Sequence, residues 1–191
     1  IVLAAAMLSM GTYGILRFPM GIFTLEKMQP FALWMMIAGL VSEVYGAMMA
    51  FAETKIKRII AYSSVSQMGY ILYGLGTLTE EGMIGGIMHV VYHAIVKALL
   101  FMVVGILLNT THEEKLESVS GLGKKLPVLA ICAAIGVLGI SGMPPLGIFN
   151  SEWMIFSGGF ETGRIALSVL TLFGSLLTVV YALRFFGRIF F

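Results

Sequence analysis

His89, His93 and Lys97 are the residues whose types and spacing most plainly could do chemistry. They recur at i, i+4 and i+8, so on a helix each advances about 40° around the axis and rises about 6 Å, giving one polar stripe about 12 Å long. Imidazole exchanges protons near neutral pH through either ring nitrogen, and a lysine held out of water can release one, so the pattern suits a proton relay. The bland alternative is a stripe of static hydrogen bonds that glues helices together, but three titratable groups exceed what gluing requires. Glu152 and Glu43 are two further ionisable residues within apolar runs. A charge at the centre of a membrane helix costs about 2.5–3.5 kcal/mol to insert, which makes each of the five a functional candidate. Glu152 reads as the acceptor after Lys97, against the alternative of an interfacial carboxylate near the end of its span. Glu43 reads either as the partner of Lys97 in an ion pair across helices or as a separate branch.

The elements that must position these residues follow from composition. Of the 191 residues, 59% are hydrophobic and 12% charged, whereas soluble domains average about 45–50% apolar and about 25% charged. A water-soluble globular fold is excluded. Charged breaks divide the chain into six apolar segments, approximately 1 to 16, 30 to 52, 59 to 78, 83 to 108, 127 to 160 and 165 to 183, each suited to crossing about 30 Å of hydrocarbon as a helix. A transmembrane barrel would alternate over about 10 residues, and Ala98 to Val104 shows no alternation. The expected fold is therefore all-α: a polytopic membrane protein of about six transmembrane helices, one of them discontinuous.

The discontinuity is expected in the fifth segment, where Gly142, Pro144 and Pro145 interrupt a stretch too long for one straight span. The two prolines lack the N–H groups that would bond the carbonyls of Ile140 and Ser141, so those carbonyls need other partners. A water-lined break and a simple proline kink are both open on this pattern. Ser63, Ser64, Ser66 and Gln67 read as small polar residues for close helix packing. The 14 methionines and 13 phenylalanines read as filler, and no haem, iron–sulfur, metal-binding, phosphate-loop or nucleophile motif occurs, so no cofactor and no redox or bond-making chemistry is expected on this chain. Cys132, the single cysteine, reads as a packing residue.

Six spans would collect Lys55, Lys57, Arg58, Lys115, Lys124, Lys125, Arg184 and Arg188 on one face and Arg17, Lys27 and Arg164 on the other. Retention of basic residues on the cytoplasmic side then places the Lys55–Arg58 and Lys115–Lys125 loops in the cytoplasm of a multi-pass cell (inner) membrane protein. A net charge of +2 without a basic cluster excludes a nucleic-acid surface. The chain starts at Ile1 inside an apolar run, and reads as a fragment of something longer.

Four stretches, MGTYGILRF from Met10, IKRIIAYSSVSQMGY from Ile56, HVVYHAIVKALLF from His89 and GMPPLGIF from Gly142, resemble the antiporter-like subunits of respiratory complex I, of related membrane-bound hydrogenases and of multisubunit cation/proton antiporters. The resemblance runs over most of the chain. It implies that residues 1–17 hold the last helix of one five-helix repeat and that 30–191 form the second, inverted repeat, with the broken helix at a midplane ion site. It also implies that Lys97 is the central lysine, with His93 and His89 beside it, and that Glu152 hands the proton outward. Other membrane subunits, related antiporter-like subunits and a redox module are the implied partners, with protons or sodium as cargo. Departures from the pattern are Ser9 where many members carry lysine, Lys55 where an aspartate is usual, so that a loop ion pair is not expected there, and Glu43, which belongs to no family motif. The leading expectation is a non-redox, proton-translocating subunit of a redox-driven complex. The rivals are a sodium/proton antiporter subunit without electron transfer and a structural scaffold with a vestigial polar axis.

Overall fold

The computed structural model describes residues 9–191; residues 1–8 of the first expected segment lie outside the described residues. Helices succeed one another with short connections: α1 (Ser9–Arg17), α2 (Pro19–Ile22), α3 (Leu25–Ala52), α4 (Ile56–Thr77), α5 (Glu80–Thr111), α6 (Leu122–Lys125), α7 (Pro127–Ile140), α8 (Gly147–Glu161) and α9 (Ile165–Phe190). No strand forms among the described residues, apart from one isolated bridge between Lys55 and Lys115. By length and composition α3, α5 and α9 qualify as membrane spans. The expected six is reached only by counting α1, the more polar α4 and the α7–α8 pair as well. The third helix starts earlier than expected: Thr24 precedes it and Pro30 lies inside it, close enough to its start that the missing N–H costs a single ladder bond.

Helices α3 and α4 pack back to back through glycines. A Cβ on Gly39 would overlap the backbone of Tyr73, one on Gly46 the backbone of Ser66, and one on Gly76 the backbone of Met36. As the α3 number rises its partner's falls, so the pair is antiparallel, and absent side chains let the two backbones approach closely. α5 begins at Thr79, whose hydroxyl accepts the Gly82 N–H at 3.2 Å, and Glu80 and Glu81 occupy its first turn, where the helix dipole favours acidic groups. It packs antiparallel on α8, Gly82 against Gly158 and Gly85 against Ser151, Met154 and Ile155.

The α3–α4 loop is pinned to the segment after α5. The Ile56 N–H donates to the Glu114 carbonyl and the Leu116 N–H to that of Thr54. Lys55 pairs with Glu114 at 3.3 Å and Arg58 with Glu53 at 3.7 Å. This corrects the expectation drawn from Lys55: the carboxylates come from Glu53 and from the Glu114 loop, which the order of the sequence does not place beside it.

Two apolar clusters bracket a polar band. One joins Ala47, Ala50, Ile56, Ile59 and Ile60 to Leu100, Val103, Val104 and Leu107 of α5 and to Phe185 and Ile189 of α9. The other joins Met36, Tyr70, Tyr73 and Ile155. Along α4 the order is therefore apolar, then Ser63 to Gln67, then apolar again, and the buried ionisable residues lie at this intermediate level.

Candidate functional site

The α7–α8 break opens immediately after Ile140. The Ser141 hydroxyl donates to the Val137 carbonyl at 2.7 Å, the Gly142 N–H reaches Gly139 and the Met143 N–H reaches Leu138. Gly142 turns the chain with φ +62°, in the left-handed region that residues with a Cβ enter only at a cost of about 1–2 kcal/mol. Pro144 and Pro145 follow, and the helix resumes at Gly147, which lies flat against the Tyr92 ring of α5. Glu152 sits one turn into α8, 5% exposed, with its carboxylate on the bare face of Gly142: a Cβ there would overlap Oε2 and come within 3.0 Å of Cδ. The helix break and the carboxylate thus occupy one place. A cavity of about 490 Å³ opens beside them, lined by Ser141, Gly142, Glu152, Ser157 and Ser175 together with aromatic side chains of α8.

On α5, His89, His93 and Lys97 are each fully buried, at 0% exposure. Lys97 Nζ donates to the Ile60 carbonyl at 2.9 Å and to Ser63 Oγ. Ser63 in turn donates to the Ile60 carbonyl at 2.9 Å. No carboxylate pairs with Lys97 among the described residues, so the ion pair considered for Glu43 does not form. His89 is held from both sides: Nε2 lies 2.9 Å from Gln67 Oε1 and Nδ1 lies 3.0 Å from Ser151 Oγ. The Tyr70 ring stands 5.7 Å from the imidazole, centroid to centroid. Among the described residues His93 has no hydrogen-bond partner at either nitrogen, although it lies between the other two members of the stripe.

Glu43 is also fully buried. It is wedged between Gly69 of α4 and Gly174 of α9, whose missing Cβ leaves room for the carboxylate. Tyr70, Tyr181 and Glu152 lie within electrostatic reach of it, so Glu43 faces the Glu152 side of the band rather than Lys97. Gln67, Tyr70, Ser151, Thr178 and Tyr181 are the site residues that the sequence reading passed over or assigned to packing. Ser63 and Gln67 hold site residues, while Ser66 serves packing against Gly46 as expected. No group of three or more His, Cys, Asp or Glu residues gathers to hold a metal among the described residues.

A helical bundle with fully buried titratable side chains on α5, one helix broken beside a buried carboxylate and three helices long and apolar enough to cross a membrane is that of a polytopic membrane protein. Residues 1–178 match the family described as NADH:quinone oxidoreductase/Mrp antiporter, transmembrane, and the chain belongs to that family. It is 34% identical over 196 residues to the NAD(P)H-quinone oxidoreductase chain 4 of Synechococcus sp. (strain CC9311), covering 99% of this chain and 35% of that one. Among solved structures, the membrane-bound sulfane sulfur reductase, an archaeal respiratory membrane complex, superposes with a TM-score of 0.93 at 28% identity, over 100% of this chain and 33% of the other. Respiratory complex I from Thermus thermophilus superposes with a TM-score of 0.86 at 27% identity, over 95% and 38%. The chain spans about a third of the length of the curated relatives it matches.

Proposed function

We propose that this chain is part of a proton-translocating, non-redox membrane subunit of a redox-driven complex, and that protons pass through His89, His93 and Lys97 to Glu152. The observation that carries the reading is the set of buried ionisable side chains itself, His89, His93 and Lys97 in one stripe on α5 and Glu152 against the α7–α8 break. Among the described residues Lys97 is held by neutral acceptors only, so its charge is not locked there by a counter-ion and can come and go with the state of its neighbours. Glu152, on the break and beside an open cavity, is the exit. Glu43, close to Tyr70 and Tyr181, is a branch on the same side.

The reading extends to organisation. Residues 1–17 close one five-helix repeat and 30–191 form the second, in a longer subunit that stands beside related membrane subunits and a redox module. The Lys55–Arg58 and Lys115–Lys125 loops face the cytoplasm of the cell (inner) membrane. The family's inclusion of Mrp antiporters favours a second reading, sodium/proton exchange without electron transfer. Lys97→Ala in the full-length subunit of the intact complex, reconstituted in proteoliposomes, should abolish proton pumping while leaving assembly largely intact. Wild-type pumping by the assembled variant would sink the relay. Ion movement that an imposed sodium gradient drives and electron transfer does not would favour the antiporter reading.

A further inference from the structure

The contacts of His89 contain a proton count that the relay does not use. Ser151 Oγ lies 3.0 Å from His89 Nδ1 and 2.8 Å from the Ile148 carbonyl oxygen, and a hydroxyl has one proton to give. With the Gln67 carboxamide oxygen facing Nε2 at 2.9 Å, Nε2 carries a proton in both the neutral and the cationic ring. Neutral His89 therefore presents a bare Nδ1, which takes the Ser151 proton, and Ile148 goes without it. Cationic His89 presents Nδ1–H, which donates to Ser151 Oγ, and the hydroxyl then turns to Ile148. Both arrangements exist at the heavy-atom positions already occupied, and neither breaks a covalent bond.

We infer that Ser151 is a positioning residue, a hydrogen-bond switch whose O–H rotates between His89 Nδ1 and the Ile148 carbonyl as His89 loses and gains a proton. Its place gives the rotation a consequence. Ile148 lies in the first turn of α8, immediately after the break, and Ser151 adjoins Glu152. Burial of Ser151 at 0% exposure leaves the hydroxyl no bulk water to satisfy it in place of either acceptor. The titratable groups around His89 are His93 and Lys97 on its own helix, Tyr70 on α4 and Glu152 beside Ser151 on α8, and none of these occupies Nδ1 or Nε2. The switch deepens the proposed proton path and rests on it.

The test uses the intact complex in proteoliposomes and reads initial pumping rate against pH. Ser151→Ala removes the switch. The imidazolium then loses a charge-assisted bond, roughly twice as strong as the neutral bond that the uncharged ring loses, so the profile should move about one pH unit to acid. Ser151→Thr, which keeps the hydroxyl, should restore the wild-type profile. An unmoved Ser151→Ala profile overturns the switch, and so does an equal displacement in the Ala and Thr variants, because that is packing. Ser151→Cys, of similar size with a weak donor, stands in if the Ala variant does not assemble: an acid displacement supports the switch and an unmoved profile overturns it. Lys97→Ala run in parallel separates the two claims. Lost pumping there with an unmoved Ser151→Ala profile rejects the switch alone, whereas full pumping in Lys97→Ala rejects the path itself.

Discussion

Gly142 is where backbone and chemistry meet, and replacing it by alanine perturbs both in separable amounts. Its φ of +62° costs a residue with a Cβ about 1–2 kcal/mol. The new methyl group would also overlap Glu152 Oε2 and press on Cδ at 3.0 Å, so the carboxylate must move. Gly163 provides the control, because its φ is +74° and no atom lies within 4 Å of the place a Cβ would take. Gly163→Ala should therefore show the backbone penalty alone. Both variants should lower the thermal stability of the purified complex by similar amounts, within about 1–2 kcal/mol. Only Gly142→Ala should slow pumping, and a displacement of about 1 Å of a reacting group can cost as much as about a hundredfold. The assay is dye-reported acidification in proteoliposomes, normalised to the electron-transfer rate. Equal pumping by the Gly142→Ala and Gly163→Ala complexes would refute the placement of Glu152 against the break.

Glu152→Gln keeps size and hydrogen-bonding capacity but cannot ionise, so it should preserve assembly and strongly reduce pumping, with Glu152→Lys better than Gln; wild-type pumping by the Gln variant would transfer the exit to Glu43. With Cys132 first replaced by serine, a cysteine in place of Lys124 should resist, and one in place of Arg17 should accept, a membrane-impermeant maleimide added outside sealed cells; the reverse pattern would invert the orientation. The Glu53 carboxyl is held below the usual carboxylate range by the backbone N–H of Lys55 and then that of Thr54. A lowered value means that the stabilisation is present above the ordinary carboxylate range and lost as pH falls through the folded value, so the protection of the Thr54 and Lys55 amides from exchange should be lost only as pH falls below the ordinary carboxylate range. Exchange that rises between pH 6 and 5 would count against those bonds.

The stripe and the break were legible because each is local. His89, His93 and Lys97 share a helix, and three residues at a spacing of four need no tertiary information to be placed on one face. Gly142, Pro144 and Pro145 likewise write their break into nine consecutive residues. Their partners were not legible for the opposite reason. Gln67 and Ser151 stand 22 and 62 residues from His89, and glutamine and serine in an apolar helix look the same whether they glue helices or hold a ring. Glu43 paired with Lys97 only on charge, and the space that seats it is a missing Cβ on Gly174 of another helix. One tertiary signal was present and unused: Gly39 and Gly46 on α3 and Gly69 and Gly76 on α4 are each two helical turns apart, the spacing of a continuous small-residue face.

No counter-ion pairs with the stripe among the described residues, and this decides how it can be charged. The ion pairs formed among the described residues lie in the loops, Lys55 with Glu114 and Arg58 with Glu53, while Lys97 meets a carbonyl and a hydroxyl, and His93 meets no polar partner. One helical turn separates His93 from Lys97, about 6 Å. Two positive charges at that distance repel by about 3 kcal/mol at an effective dielectric constant of about 20, roughly a hundredfold against double occupancy. Carboxylates within pairing distance would cancel that penalty and let protons accumulate. Neutral acceptors leave it in place, so a proton arriving at His93 weakens the hold of Lys97 on its own. Under the proposed path the same arrangement that makes the lysine costly to bury makes its proton available to Glu152, and the polar partners that seat Lys97 orient it without fixing its charge.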